Sequence, residues 1–353
     1  MKRKVAVLGA TGMVGQQFIR MLDAHPYFDI DVLAASSKSS GKSYGEIVNW
    51  VVSSEIPRQF RNEHVVGINA KELGRRGIDI AFSALPSGYA KVAEEKLVEE
   101  GIAVFSNAGA HRMDSDVPML IPEVNPEHLS LVKNQMKKHK GFLVTNSNCT
   151  TSGLVMVLKP LLRFGIKSVT VSSYQAVSGA GYPGLPSLDI LGNVIPYIEN
   201  EEEKVEAESK KILGVFERGR INEASFEVNA TCARVHVRDG HLETLIIEFE
   251  NTPEIGEIKS ALARFKGIPQ KLHLPTAPEQ PIILREEANR PQPLYDASAG
   301  TPERAAGMAV SVGRLREKGR KIGLVLIVHN TIRGAAGTSI LDAELALRKN
   351  YIK

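Results

Sequence analysis

Short apolar runs alternate with amphipathic stretches over the first 150 residues. Residues 4–9 are continuous, valine-rich and closed by a glycine, the pattern of a strand buried on both faces, and residues 15–22 follow with Val14, Phe18, Ile19 and Leu22 along one helical stripe. Residues 30–35, 78–83, 103–107 and 143–146 read as further strands, and residues 90–100 as a helix stopped by Gly101. Strands alternating with helices predict an α/β unit with a parallel sheet. After a helical segment at residues 150–162 the texture changes. Residues 169–176, 233–237 and 243–249 are β-branched or alternate with period two, as in a mixed or antiparallel sheet, and Asp239-Gly240 between the last two predicts a two-residue hairpin. Residues 179–196, rich in Gly and Pro, are too long for a tight turn and predict a cleft rim or subunit contact. Residues 324–328 read as one more buried strand and 338–349 as a closing helix that returns to the first domain, with the domain switch near Cys149.

Length and composition narrow the class. A chain of 353 residues exceeds what one core usually fills, so two domains sharing a cleft are expected. A net charge of +4 at pH 7, evenly spread, argues against a nucleic-acid partner and leaves small anions as the better candidates. Cys149 and Cys232 cannot build a disulfide framework, which suits a reducing compartment, by default the cytoplasm. The basic head at residues 1–4 and the apolar run after it imitate a signal peptide, but Gly9, Gly12 and Gly15 punctuate the run, and no stretch has the eighteen or so apolar residues of a membrane span, so no membrane partner is expected.

Gly9-Ala10-Thr11-Gly12-Met13-Val14-Gly15 sits between a predicted strand and a predicted helix. Small residues there let the backbone approach a pyrophosphate, and the helix N-terminus stabilises its charge, so the turn predicts a dinucleotide site in a Rossmann-type doubly wound parallel sheet. An NAD enzyme would usually end its second strand on Asp or Glu; here the strand ends Ala34-Ala35-Ser36-Ser37-Lys38-Ser39-Ser40. Hydroxyls and one cation suit a 2′-phosphate, so NADP is expected as cofactor, with Ser36 and Ser39 at that end.

The second chemical feature is Asn146-Ser147-Asn148-Cys149-Thr150-Thr151, which places a cysteine between an apolar strand and a helix start. Free amides and the helix dipole would stabilise a thiolate and later an oxyanion. A nucleophilic thiolate beside a nicotinamide points to acyl transfer onto sulfur with hydride transfer at the thioester carbon. In the expected hairpin Arg238 pairs with His241, which puts Arg234, His236, Arg238 and His241 on one face, with Arg234 and His241 about 13 Å apart. Cys232, His236 and His241 complete no zinc pattern, and no metal is expected.

Together these segments resemble the aspartate-β-semialdehyde dehydrogenase family in its archaeal and fungal branch, from Val5 to the C-terminal helix. The likeness is carried by the glycine turn, by Ser147-Asn148-Cys149-Thr150, by Gln175-Ala176-Val177-Ser178-Gly179-Ala180-Gly181, and by Arg234 with His241 seven residues on. It implies NADPH-dependent reductive dephosphorylation of L-aspartyl-4-phosphate to aspartate semialdehyde, on the route to lysine, methionine and threonine. Carried over, Cys149 is the nucleophile, His241 the acid/base, Gln175 the residue that orients the acyl group, and Asn148 the neighbour of the nucleophile. Arg234 would bind the α-carboxylate, Arg112 and Lys204 the phosphate, and Glu201 the amino group, a role Glu202 or Glu203 would take if the register slipped. Cofactor contacts fall on Gly9, Thr11, Gly12, Met13, Val14, Gly15, Ser36, Ser39, Ser83, Ser178, Gly179, Asn330 and Thr331. The domains implied are 1–148 with 331–353, binding NADP, and 149–330, an α+β catalytic and dimerisation domain with a mixed sheet, in a homodimer or homotetramer.

By composition alone, residues 201–211 are a solvated charged helix. Three rivals share parts of the pattern. Malonyl-CoA reductase of the same branch uses NADPH and a thioester, but its substrate has no α-amino group to meet Glu201; N-acetyl-γ-glutamyl-phosphate reductase matches the motifs less well. A non-catalytic NADP-binding redox sensor would need only Cys149.

Overall fold

The computed structural model describes residues 2–52 and 55–352; Met1 of the basic head and Lys353 at the end of the chain lie outside them. The N-terminal half builds a parallel six-stranded sheet. Its strands are β1 (Arg3–Leu8), β2 (Phe28–Ala35), β3 (Val66–Gly67), β4 (Ile80–Ser83), β5 (Ala103–Ser106) and β6 (Phe142–Thr145), in the order β3-β2-β1-β4-β5-β6. Helix α1 (Met13–Leu22) follows β1 and α2 (Ser87–Glu99) follows β4. Strand order reverses between β1 and β4, the place where doubly wound sheets leave a crevice for ligands. Apolar strands without alternation are covered on both faces, as expected: all four residues of β4, β5 and β6 are buried.

Beyond Thr145 the chain enters α3 (Cys149–Leu158), whose side chains from Thr150 to Leu158 are all buried. The expected helix to residue 162 is shorter, because Pro160 cannot continue the hydrogen-bond ladder and residues Lys159–Phe164 tighten into a 3₁₀ turn. A seven-stranded mixed sheet packs on α3. Its strands are β7 (Ile166–Gln175), β8 (Val194–Ile195), β11 (Glu227–Val235), β12 (His241–Phe249), β13 (Ile282–Arg285), β14 (Val310–Lys318) and β15 (Lys321–Val328); a separate small hairpin supplies β9 (Val215–Glu217) and β10 (Arg220–Asn222). The order is β13-β14-β15-β12-β7-β11-β8. Helix α4 (Glu201–Ile212) packs against this sheet and α3. Helix α5 (Gly337–Arg348) closes the chain, and its Ile340, Leu341 and Leu345 share an apolar cluster with Val5, Phe18 and Phe82 beneath the parallel sheet.

The expected Asp239-Gly240 hairpin does not form. β7 lies between β11 and β12, parallel to the first and antiparallel to the second, so residues 236–240 cross over the end of β7 instead of folding back. The crossing is held by Val177 N–H on the Val237 carbonyl (2.8 Å) and Ser178 N–H on the Arg238 carbonyl (3.1 Å). Gly240 still uses its freedom, at φ +93°, to pass Ala297. A ladder partner from elsewhere in the chain replaced the nearest one. As a result His236 and Arg238 are exposed, while Arg234 and His241 are buried.

Candidate active site

The glycine turn is shaped by close contact. A Cβ on Gly15 would stand 2.2 Å from the Gly9 carbonyl oxygen, and Gly9 itself sits at φ +75° with no room beside Ala84. Gly12 caps α1 without a side-chain hydrogen bond, so the first helical amides at Met13 and Val14 are not covered by a capping side chain. Thr11 belongs to the same turn, whose Gly9 and Ala10 amides bond the Ala34 carbonyl and so seat it against the end of β2. Ser36 and Ser39 form a turn at that end, Ser36 exposed and Ser39 half-buried. Ser83, at the end of β4, is fully buried with its hydroxyl toward the buried Glu94 carboxylate. A backbone cradle and an open helix N-terminus fit a dinucleotide phosphate.

Asn330 and Thr331 act as staples. The Asn330 amide donates to the Ser178 hydroxyl (2.8 Å) and its oxygen accepts the Gly240 N–H (2.9 Å), while the Thr331 hydroxyl accepts from Gln17 of α1 (3.1 Å). The chain then makes a π-helical turn at Ile332–Ala336, in which Gly334 passes so close to Cys149 that a Cβ would meet the cysteine Cβ at 2.6 Å. A cavity of about 620 Å³ opens between α1 and the second half of the chain, lined among others by Met13, Gln17, Asp239 and His329; neither Cys149 nor His241 lines it.

Cys149 is the first residue of α3, and its Sγ lies 3.2 Å from His241 Nε2. β12 and α3 bring them together: His241 opens β12 on the face that packs against the helix, as do Leu245 and Ile247. The fold places Arg234 far closer to His241 than the hairpin reading allowed. A Cβ on Gly179 would lie 2.7 Å from Arg234 Nη1 and 3.1 Å from His241 Cε1, so one glycine separates both side chains from the loop. Arg234 donates to the Ala176 carbonyl at 2.9 Å.

Glu201 binds the polar groups together. Its Oε1 accepts from Asn148 Nδ2 (2.7 Å) and Gln175 Nε2 (3.0 Å), and its Oε2 lies 3.9 Å from the half-exposed Lys204 ammonium. Glu202 instead accepts from the Cys232 N–H and Glu203 is exposed, so of the three glutamates only Glu201 faces the cysteine. Arg112 donates to Glu208 (2.9 Å) and to the Asn107 carbonyl (2.9 Å). Glu208 also receives the Asn148 N–H at 2.5 Å, and so ties Arg112 to the residue before the cysteine. The sequence reading missed Glu208, although its spacing contained the signal: Glu201, Val205, Glu208 and Ile212 fall at i, i+4, i+7 and i+11 and form the buried stripe of α4. The helix that composition reads as solvated turns Glu201 and Glu208 inward.

Electrostatics here differ from the expected thiolate. Asn148 Oδ1 caps α3 by accepting from Thr150 N (2.8 Å) and Thr151 N (3.3 Å), and the Thr150 N–H gives the sulfur only the smallest of the interactions that favour a thiolate. Burial, then the nearby Glu201 charge, pushes the Cys149 thiol up to about 12, against the smaller pull of Arg234 and Arg112. Burial, then Arg234 and His329, holds His241 well below the ordinary histidine value, so it is neutral. Among the described residues no group of His, Cys, Asp and Glu could hold a metal ion.

Comparison with known families agrees with this architecture in both halves. Residues 4–132 match the model of the semialdehyde dehydrogenase NAD-binding domain, and residues 158–333 that of the semialdehyde dehydrogenase dimerisation domain. The chain belongs to the semialdehyde dehydrogenase family, a family of oxidoreductases. An aspartate-semialdehyde dehydrogenase of Methanothermobacter thermautotrophicus is 50% identical over 347 residues, covering 97% of this chain and 98% of its own. The malonyl-CoA reductase (NADP) of Metallosphaera sedula is 41% identical, covering 99% of this chain and 98% of its own. Among solved structures, aspartate semialdehyde dehydrogenase with NADP from Candida albicans superposes with a TM-score of 0.90 at 39% identity over 100% of both chains.

Proposed function

We propose that the chain is an NADP-dependent aspartate-semialdehyde dehydrogenase, converting L-aspartyl-4-phosphate to L-aspartate 4-semialdehyde and phosphate, a step toward lysine, methionine and threonine. The observation that carries this reading is Glu201, a carboxylate 7% exposed and anchored by two side-chain amides beside the nucleophile. A buried carboxylate that raises the pKa of its own thiol is costly unless the substrate brings a cation to it. The α-amino group of an aspartyl substrate is such a cation, and Arg234 stands ready for the α-carboxylate. Malonyl-CoA offers no amine, and Glu201 would then keep only Asn148, Gln175 and the more distant Lys204 as partners.

The chemistry proceeds in two stages. Cys149 Sγ attacks the acyl carbon while Arg112 and Lys204 hold the departing phosphate, leaving a thioester. The Cys149 N–H, outside the Asn148 cap, would donate to the developing oxyanion, His241 takes the thiol proton, and Gln175 and Asn148 act by holding Glu201. NADPH, when bound along the glycine turn, Ser36, Ser39 and Ser83, supplies the hydride. Ser178 and Gly179, on the loop that Asn330 fixes, would help to hold the cofactor, as would Asn330 and Thr331. As the hemithioacetal collapses to the aldehyde, His241 returns a proton to the departing sulfur and restores the thiol.

Domain limits of 1–148 with 331–353 and of 149–330 are supported by the return of α5 to the first core. Subunits would pair through the open face of the second sheet, where Tyr174, Ile246, Val194 and Tyr197 are exposed. Two free cysteines suit a cytoplasmic enzyme. The test is to mix purified protein with aspartate semialdehyde, phosphate and NADP, and to run malonyl-CoA with NADPH in parallel. Phosphate-dependent reduction of NADP is expected. Turnover of malonyl-CoA alone would overturn the substrate assignment.

A further inference from the structure

We infer that Glu208 is a positioning residue for the acyl-phosphate chemistry, its carboxylate bridging Arg112 and the peptide before Cys149 so that the phosphate holder and the nucleophile keep a fixed separation. This deepens the function reading above and rests on it for the role of Arg112.

A carboxylate can hold two donors at a set distance. Glu208, its side chain 3% exposed, accepts from Arg112 Nη1 at Oε1 (2.9 Å) and from the Asn148 N–H at Oε2 (2.5 Å). Arg112 Nη2 is spent on the Asn107 carbonyl (2.9 Å). Two bonds in its own plane fix the orientation of a planar guanidinium, and the donors left over include Nε, buried without a protein partner. An oriented cation, 11% exposed and with donors to spare, suits an incoming phosphate. Asn148 stands one residue before the nucleophile, and the bond that forms at Sγ and the bond that breaks to phosphate share one acyl carbon. A span fixed at both ends therefore sets the approach of sulfur to that carbon.

Helix α4 holds the same arginine a second time. Lys211, 5% exposed, donates to the carbonyls of Arg112 (2.5 Å), Asp114 (2.8 Å) and Val117 (3.2 Å), and so fixes the backbone of the residue whose head Glu208 holds. Glu201, Lys204, Glu208 and Lys211 fall at i, i+3, i+7 and i+10, along one face of the helix. Docking of α4 on the sheet is served by other glutamates: Glu202 accepts from the Cys232 N–H (2.9 Å) and Glu206 from the Ala230 N–H (3.0 Å), both on β11. Glu208 faces the cysteine loop instead.

Charge and geometry predict opposite signs. A carboxylate beside a phosphate site repels the phosphate, so as a charge alone Glu208 would weaken anion binding, and its removal would strengthen it. As the part that aims Arg112, its removal must weaken binding.

Inorganic phosphate is the probe. Its power to slow iodoacetamide alkylation of Cys149 in the full-length enzyme, followed by mass spectrometry to separate Cys149 from Cys232, gives a half-protecting concentration without turnover. In Glu208→Asp, which keeps the charge but is a methylene too short to span both donors, that concentration should rise about tenfold, as should KM for phosphate in the aspartate-semialdehyde assay, while KM for NADP stays unchanged. Glu208→Gln, which keeps the shape but offers an N–H where two donors already point, should shift the same way. In an Arg112→Ala background neither change should add to the rise that Arg112→Ala itself produces. Tighter phosphate binding in Glu208→Gln, a wild-type value in Glu208→Asp, or effects that add to Arg112→Ala would each overturn the inference. A wild-type value in Arg112→Ala is a different failure: it would remove Arg112 from the phosphate site, and with it the reading on which the inference rests.

Discussion

The glycine turn and the cysteine pocket are both ligand sites built at a helix start, but different forces shape them. At the turn, selectivity is steric: Gly9 and Gly15 leave backbone where any side chain would collide, and the α1 amides have no side-chain cap. At the pocket the Thr150 and Thr151 amides of α3 are capped by Asn148, only the Cys149 N–H stays outside the cap, and most of the work falls to side chains from five distant segments: Arg112, Cys149, Gln175, Glu201 with Glu208, and Arg234 with His241. A site made from one contiguous turn survives loss of any charge. One made from buried charges is held by mutual compensation, and single changes there should act on chemistry more than on folding.

The largest expected effect isolates the pocket. Cys149→Ala should lower turnover by about 10⁴-fold or more while leaving NADPH affinity unchanged, as measured by steady-state kinetics and fluorescence titration. Normal turnover would rule out covalent catalysis. The next pair of substitutions is the same chemical change in both regions. Gly15→Ala drives a methyl group into backbone, and should cost about 3 kcal/mol in urea unfolding together with cofactor affinity. Gly179→Ala meets only the tips of Arg234 and His241, and should leave unfolding nearly unchanged while kcat/KM falls roughly 10²-fold through displaced side chains. Equal losses of stability in the two would erase the distinction.

Glu201→Gln sharpens it electrically. Removing the anion lowers the thiol pKa, since Glu201 is a cause of its elevation, so Cys149 should be alkylated faster at pH 8 than in the wild type. The same variant should lose roughly 10²-fold in kcat/KM for the amino-bearing substrate. Faster alkylation with unchanged kcat/KM would separate Glu201 from substrate binding. Smallest in effect, Ser36→Asp at the exposed end of β2 should shift the NADP/NAD ratio of kcat/KM by about tenfold or more toward NAD; an unchanged ratio would remove Ser36 from the cofactor assignment.

The two regions also differ in how legible they are from residues alone. β1, the glycine turn and α1 are neighbours in sequence, so period, glycine spacing and context all bear on one short stretch. The pocket was legible only in part. Cys149 and its flanks suggested a nucleophile, but family register, not periodicity, pointed to Glu201 and Lys204. Glu208 escaped because a glutamate-rich helix reads as solvated until the partners that neutralise its inner face are known. The Asp239-Gly240 hairpin failed for a related reason: a strand pairs with whichever edge is available, and β7 is contributed by residues sixty positions earlier.

Sequence by itself determined the alternation of strand and helix in the first half, the dinucleotide turn, the preference for hydroxyls over a carboxylate at the ribose end, and the cysteine at a helix start, because each depends on contacts within a few residues. Tertiary structure alone decided which carboxylates are buried, that the Thr150 and Thr151 amides of α3 are capped, and that Arg234 and His241 converge on Gly179. Those properties belong to hydrogen bonds and desolvation between segments far apart in the chain, and no local pattern encodes them.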